Sequence, residues 1–312
     1  MHLPPFLYGG GRGKKCICEQ LIGETDLLLW HFLFYICLWK RKCMQVIRTF
    51  LLGLVIATVL AGCEMFEYHP YDGRFDAPTD VNVTNIRRIE AACEGKDTIR
   101  FIMMGDTQGW YDETEDFVAH VNAMEHPVDF VIHGGDVADY GLTKEFQWVA
   151  RCMDKMKVPY VAIIGNHDML GTGERVFKEI FGDENFSFRA GDVKFVCLST
   201  NALEYDYSHP VPDFSFIRQE LADSLDCSKT VAVMHAPPFS DQFNNNVNTE
   251  FEYYISRFRG IQFCLHAHNH RYSASELFDD GIVYYGCDCM KNRNYLLFTI
   301  TPEGYAYEME AF

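Results

Sequence analysis

Residues 98–108 read TIRFIMMGDTQ, and this stretch decides the fold. It is a short apolar run that ends abruptly in a glycine, an acid and an amide. Four later stretches have the same form, with Gly, Asp, Asn or His after the apolar run: residues 129–136, 158–168, 230–235 and 261–268. Short apolar runs bounded by turn residues indicate buried β-strands. The sequence therefore predicts five strands that each end in polar side chains.

The segments between these strands carry apolar residues at helical spacing. Examples are Phe117, Val118 and Val121 in one segment and Val149 and Cys152 in another. Strands that alternate with helices favour parallel pairing, and ligands of such sheets bind beyond the carboxyl ends of the strands. We therefore expect all five polar clusters to meet at one edge.

A second sheet is predicted from the remaining strand-like segments. Residues 186–198 resemble a hairpin, and residues 282–285, 295–300 and 305–312 alternate like antiparallel strands. Two stacked sheets flanked by helices would bury this aromatic-rich composition. The expected fold class is α/β.

The polar clusters supply the chemistry of a metal site. A single Asp or Asn after a strand is commonly a turn residue, so the argument depends on the joint pattern. Carboxylates, amide oxygens and imidazoles are ligands of Mn, Fe and Zn, and one carboxylate can bridge two ions ~3.5–4 Å apart with a nucleophilic hydroxide between them. The candidates in chain order are Asp106, Gln108, Asp136, Asp139, Asn166, His167, His235, His266 and His268.

This series of motifs resembles the calcineurin-like metallophosphoesterase superfamily, over residues 98–312. The resemblance implies a four-layer α/β/β/α sandwich of two mixed sheets. It also implies hydrolysis of a phosphomonoester, phosphodiester or pyrophosphate by two divalent or trivalent metal ions, Mn, Fe or Zn. In the implied assignment, the first metal is held by Asp106, Gln108 and His268, Asp136 bridges, and the second metal is held by Asn166, His235 and His266. His167 would face the substrate as a general acid, oriented by Asp139.

Three positions depart from the family pattern. Gln108 stands where the family usually has His, and is either a metal ligand or a hydrogen-bonding residue near the metal. Tyr140 replaces a frequent phosphate-binding Arg, and Leu265 replaces the Gly that usually precedes the last motif. Two further histidines are expected to be structural, His133 in the core and His270 in a loop.

A non-catalytic envelope-binding lipoprotein that retains the fold is the alternative function. The His167 and Asp139 pair favours the enzyme, since a binding module needs no histidine beside its metals. The net charge of −17 argues against nucleic acid as a partner, because an acidic surface repels polyanions. A phosphorylated small molecule or an envelope phosphoester is the expected substrate. The sequence does not indicate an oligomeric state.

The head of the chain resembles a bacterial lipoprotein signal. Residues 44–62 contain a short basic segment and an apolar stretch, followed by Cys63 in the sequence Leu-Ala-Gly-Cys, whose Cys would be lipidated and hold the protein on the cell envelope membrane. Residues 1–43 are then interpreted as an upstream extension, although a membrane hairpin of residues 27–39 and 50–62 is an alternative. Residues 63–95 are predicted to be a tether, and residues 96–312 the phosphoesterase domain. The seven cysteines after Cys63 are expected to be buried and unpaired.

The signal interpretation makes a direct prediction. Cys63→Ser should leave the protein unprocessed or soluble, because the lipid acceptor is lost, whereas deletion of residues 1–43 should not change membrane attachment. Fractionation and mass spectrometry of the N-terminus measure both. Loss of attachment after the deletion alone would instead identify residues 27–39 as the anchor.

Overall fold

A computed structural model describes residues 17–62, 76–204 and 210–312 of the chain. The chain divides into two units at residue 67. In the first unit, a single helix α1 (Ile17–Gly62) covers both apolar runs. Among the residues so described, no helix is both long and apolar enough to cross a membrane. Cys63 lies outside the described residues, so its lipidation stays a prediction.

The second unit contains the strands and the remaining helices. The described helices are α2 (Val81–Cys93), α3 (Tyr111–Ala123), α4 (Thr143–Met153), α5 (Gly173–Ile180), α6 (Phe214–Ala222) and α7 (Asn248–Ile255). The described strands are β1 (Ile99–Met104), β2 (Phe130–His133), β3 (Tyr160–Ala162), β4 (Phe186–Ala190), β5 (Val193–Leu198), β6 (Lys229–Met234), β7 (Ile261–His266), β8 (Ser273–Glu276), β9 (Val283–Gly286), β10 (Asn294–Thr301) and β11 (Gly304–Ala311).

These strands form two mixed sheets. The first has the order β11-β10-β1-β2-β3, and the second has the order β4-β5-β6-β7-β9-β8. Strands β1, β2 and β3 are parallel, as predicted, and Met104 pairs with His133, so that β1 and β2 end at the same level. The prediction for the C-terminal strands is wrong in part. β9 lies between β7 and β8, parallel to the first and antiparallel to the second. β10 and β11 are antiparallel as expected, but they extend the first sheet beside β1 and do not join the second.

The layers follow from which face of each strand is apolar. Helices α3, α4 and α5 cover the outer face of the first sheet, and α6 and α7 cover the outer face of the second. Between the sheets lies an aromatic core in which the ring of Phe101 stacks on Phe130 and meets the edge of Phe195, both at 5.2 Å between centroids. The fold is thus the expected α/β/β/α sandwich, and the seven cysteines after Cys63 are buried and unpaired.

The predicted tether is corrected for residues 81–93, which form helix α2. Its Ile89 and Cys93 are fully buried in the core between the sheets. Asn82 accepts a hydrogen bond from the backbone N–H of Ala162 and donates one to its carbonyl, both at 2.8 Å, and Asn85 donates to the carbonyl of Tyr160 at 2.9 Å. β3 is an edge strand with no neighbouring strand on this side. The two amides pair with backbone N–H and carbonyl groups that would otherwise be left unpaired at that edge. The helix was missed because its apolar spacing is short, Ile86, Ile89 and Cys93, and the rest of its buried face includes the two asparagines.

Asn82 gives a test of this edge. Asn82→Ala should lower the free energy of unfolding by about 2–4 kcal/mol, because a buried N–H and a buried carbonyl lose their partner. Urea unfolding followed by circular dichroism measures the difference. Asn122 is the control: it also bonds backbone groups, of Lys155 and Lys157, but in an exposed position. Equal losses in Asn82→Ala and Asn122→Ala would contradict a special role for the β3 edge.

Candidate metal centre

The predicted residues gather where the strands of both sheets end. Asp106 follows β1, Asp136 follows β2 and Asn166 follows β3, all in the first sheet. His235 follows β6, and His268 and His270 follow β7, both in the second sheet. The centre therefore lies across the ends of the two central layers, so that neither sheet holds it alone.

The backbone of this cluster is unusually constrained. Four of its residues have positive φ angles, Asp106 at 52°, Asp136 at 54°, His268 at 68° and His270 at 51°. Non-glycine residues rarely adopt this conformation, and strain of this kind concentrates at functional sites. Gly165 allows the close packing that results, since a Cβ there would lie 2.2 Å from Oδ1 of Asp136.

Two groups of potential ligand atoms form at this point. In each group three atoms lie within 4.8 Å of one another: one group contains Asp136, His235 and His268, and the other contains Asp106, Asp136 and His270. Asp136 belongs to both groups. This is the arrangement that a bridging carboxylate requires.

Asn166 completes the first group. Its Oδ1 lies 3.1 Å from Nε2 of His235 and 3.0 Å from Nδ1 of His268, while Nε2 of His235 lies 3.4 Å from Oδ2 of Asp136. Amide, imidazole and carboxylate donors thus face a common point. The opposite ring nitrogen of His235 lies 2.8 Å from the carbonyl oxygen of Gly134, which fixes the orientation of the ring.

Asp106 is the most exceptional member of the second group. Its side chain is fully buried, and neither carboxylate oxygen has a hydrogen-bond partner. Nε2 of His270 lies 3.5 Å from Oδ1, an ionic contact without hydrogen-bond geometry. Burial raises the pKa of Asp106, and the positive charge of neighbouring imidazoles opposes this only in part. A buried carboxylate without a partner is costly unless a cation compensates it.

The charges of Asp136 and His235 are coupled. Burial alone would raise the pKa of Asp136, but the adjacent imidazole of His235 outweighs it and lowers the pKa. Burial alone would likewise lower the pKa of His235, yet the carboxylates of Asp136 and Asp106 raise it to about 9. Without a metal, the two carboxylates therefore favour a proton on His235, and a metal ion held by His235 would take the place of that proton.

His167 lies beside the groups rather than in them. Its backbone N–H donates to Oδ1 of Asp136 at 2.9 Å, and its Nδ1 lies 2.6 Å from the backbone carbonyl oxygen of Asp139. The carboxylate of Asp139 is farther away, at 3.6 Å. The predicted pairing of these two residues is therefore present, but the closer contact is with the backbone of Asp139.

Asp168 has a role that the sequence analysis did not assign. Its buried carboxylate accepts hydrogen bonds from the backbone of Ala138 at 2.7 Å and of Gly165 at 2.9 Å. It thus ties the loop after β2 to the loop after β3. Burial, together with the charge of Asp136, raises the pKa of Asp168 to about 8.

Gln108 makes the hydrogen bond that the sequence analysis gave as the alternative to metal binding. Its Nε2 donates to Oδ2 of Asp136 at 2.7 Å. The amide nitrogen, which cannot bind a cation, therefore points at the shared carboxylate. Because Gln108 stands where the family pattern has His, Asp136 gains a hydrogen bond from an amide. The Asp106 group then has one imidazole fewer than the family pattern.

The assignment of the last motif needs a correction by two residues. His266 is in neither group of ligand atoms. Its Nδ1 lies 3.0 Å from the carbonyl oxygen of Ala267 and its Nε2 3.4 Å from Oγ of Ser273. Burial lowers its pKa to about 4. His268 lies in the group with Asn166 and His235, the position that the sequence analysis gave to His266. His270, which was expected to be a loop residue, lies beside Asp106.

The packing around Ala267 explains this correction. A Cβ added to Gly134 would lie 3.0 Å from the Cβ of Ala267, and one added to Gly105 would lie 3.2 Å away. Position 267 therefore has room only for a small residue, as expected if it stands where the family motif has its glycine. Leu265 at the position expected for glycine was the sign in the sequence that the last motif had been placed two residues too early. His133, by contrast, is a core residue as expected.

A family model of calcineurin-like phosphoesterases matches residues 99–272, which is more than half of the chain. The chain therefore belongs to the calcineurin-like phosphoesterase family. The match begins at β1 and ends just after His270, so it contains every residue of the two ligand groups.

Individual relatives are more distant. The mouse serine/threonine-protein phosphatase CPPED1 is 28% identical over 185 residues, covering 51% of this chain and 58% of the mouse protein. The probable glycerophosphodiester phosphodiesterase GpdQ of Arcobacter nitrofigilis is 32% identical over 62 residues, covering 20% of this chain and 23% of that protein. The chain thus spans just over half the length of the first and about a quarter of the second. A dimetal phosphatase from Danio rerio shares the fold, with a TM-score of 0.51 at 10% identity over 69% of this chain and 99% of that chain.

The corrected register predicts different effects for two neighbouring histidines. His270→Ala should lower the amount of metal bound per chain after dialysis, because the Asp106 group loses its only imidazole among the described residues. His266→Gln, which keeps much of the volume of a buried side chain, should bind as much metal as the wild type. Atomic emission spectroscopy of the dialysed proteins measures both, and the reverse result would restore the original assignment.

Proposed function

We propose that this protein is a metal-dependent phosphoesterase with a dinuclear centre. One observation carries the proposal: the fully buried carboxylate of Asp106 has no hydrogen-bond partner and lies beside a second buried carboxylate, Asp136. Two buried carboxylates this close together require positive charge between or beside them. The family membership of the chain agrees with a metal ion as the source of that charge.

The donor set fits two metal ions. Asp106, Asp136 and His270 would hold one, and Asp136, Asn166, His235 and His268 would hold the other. Oxygen and imidazole ligands without cysteine suit Mn, Fe or Zn. When bound, the two ions would polarise the phosphoryl group and activate a water molecule for attack on phosphorus.

His167 is proposed as the residue that acts on the leaving group. Its Nδ1 is committed to the carbonyl oxygen of Asp139, so the free Nε2 is the nitrogen available to a substrate. An imidazole in this position can donate a hydrogen bond or a proton to the departing oxygen. The backbone carbonyl fixes the ring, and the side chain of Asp139 contributes less than the sequence analysis expected.

The proposed substrate is a phosphomonoester, a phosphodiester or a pyrophosphate. The relatives are named as a phosphatase and a phosphodiesterase, which supports both ester classes. We further propose that the chain acts on a phosphorylated small molecule or phosphoester of the bacterial cell envelope. The support for this location is the lipoprotein-like sequence of residues 44–63.

Activity on metal-reconstituted protein tests the proposal. Chelator-treated protein supplied with Mn, Fe or Zn should hydrolyse aryl phosphomonoesters or diesters, and Asp136→Asn should abolish this by weakening a ligand that both metals share. His167→Ala should lower turnover ~10²–10⁴-fold while metal content is unchanged, with a smaller loss for better leaving groups.

His126 provides the matched control, because it is exposed and has no role in the cluster. His126→Ala should have wild-type turnover and metal content. Metal binding without hydrolysis of any ester or pyrophosphate would exclude the enzyme and favour the envelope-binding protein. If His167→Ala emptied a metal site, His167 would be a ligand.

A further inference from the structure

The loop between β6 and α7 returns to the metal centre at Asp241. The loop begins at His235, and six residues later Oδ1 of Asp241 lies 2.9 Å from Nε2 of His268. Contacts within the loop brace this return. The backbone N–H of Phe239 donates to Oδ1 of Asn245 at 2.7 Å, and Nδ2 of Asn245 donates to the carbonyl of Ser240 at 2.8 Å.

The two histidines that face Asn166 are therefore supported in different ways. Nδ1 of His235 lies against the carbonyl oxygen of Gly134, and this contact is entirely buried. His268 is supported by a carboxylate whose side chain is 82% exposed. One histidine is fixed by the sheet end, and the other depends on a side chain from a surface loop.

We propose that Asp241 is a positioning residue for His268, an inference that rests on the proposed metal centre. A neutral imidazole carries one N–H, and a carboxylate at Nε2 selects the tautomer in which Nε2 holds that proton. The lone pair of Nδ1 is then directed at the point shared with Asn166. A carboxylate in this position also strengthens the histidine as a ligand, and loss of such a partner typically costs ~10–100-fold in metal affinity.

The contact couples the metal centre to the loop. If the loop holds His268 in its binding orientation, a metal bound to His268 must in turn stabilise the loop by the same free energy. The loop also carries Phe239, which is 56% exposed and has a φ of 71°.

Metal affinity of Asp241 variants is the test. Asp241→Ala should bind the Co²⁺ or Zn²⁺ ion held by the group that contains His268 ~10–100-fold less tightly in a chelator competition. Asp241→Asn keeps an oxygen acceptor and should lose less. Long-range ¹H–¹⁵N spectra of the metal-free proteins should show a larger fraction of the Nε2–H tautomer of His268 in the wild type than in Asp241→Ala.

Asp183→Asn is the control, because it removes an equal charge from an exposed carboxylate elsewhere in the domain. Unchanged metal affinity and tautomer in Asp241→Ala would overturn the inference, as would an equal loss of affinity in Asp183→Asn. These results are distinct from failure of the proposed function, in which the wild-type protein itself would bind no metal.

Discussion

The repulsion between Asp106 and Asp136 is the constraint on which the site depends. The two carboxylates lie within 4.8 Å of each other, and both are buried. In a medium of low dielectric constant such a pair is unstable unless positive charge lies between or beside it. The neighbouring imidazoles of His235 and His270 supply part of that charge, and the geometry leaves the rest to a cation.

The fold supplies the rigid backbone that holds the two carboxylates close together. Carboxylates can be held together against their repulsion only by a backbone that cannot move apart, and the level ends of β1 and β2 supply that backbone. Asp168 then ties the two neighbouring loops together through hydrogen bonds to Ala138 and Gly165. The strained φ angles of the ligands are tolerated for the same reason, since packed strands on both sides determine them.

Much of the fold and site could be predicted from the sequence because polar residues at strand ends are so unusual. The parallel order of β1, β2 and β3 follows from the helices between them, and the positions of Asp106, Asp136, Asn166 and His235 follow from the strand ends. No single one of these positions is decisive, because Asp and Asn are also common turn residues. Their order over five successive strands is what indicates one shared site.

The errors arose where local patterns have more than one reading. Histidines at 266, 268 and 270 allow two registers of a His-x-His pair. The positions of their ring nitrogens relative to Asp106 and Asp136, together with the tight packing of Ala267 against Gly134, decide between them. The role of Gln108 depends on which end of its amide faces Asp136, which a sequence does not encode. Helix α2 is recognised only through Asn82 and Asn85, whose partners lie on a strand far along the chain.

That distance along the chain has a consequence for how the domain can be divided. Helix α2 precedes β1, yet it covers β3, which is formed by residues 160–162. A fragment that began at residue 96 would contain all the ligands but would leave the backbone groups of Tyr160 and Ala162 unpaired at the edge of the sheet. Exposed strand edges pair with other chains. Such a fragment would tend to self-associate, and the smallest soluble unit of this protein therefore begins before Val81.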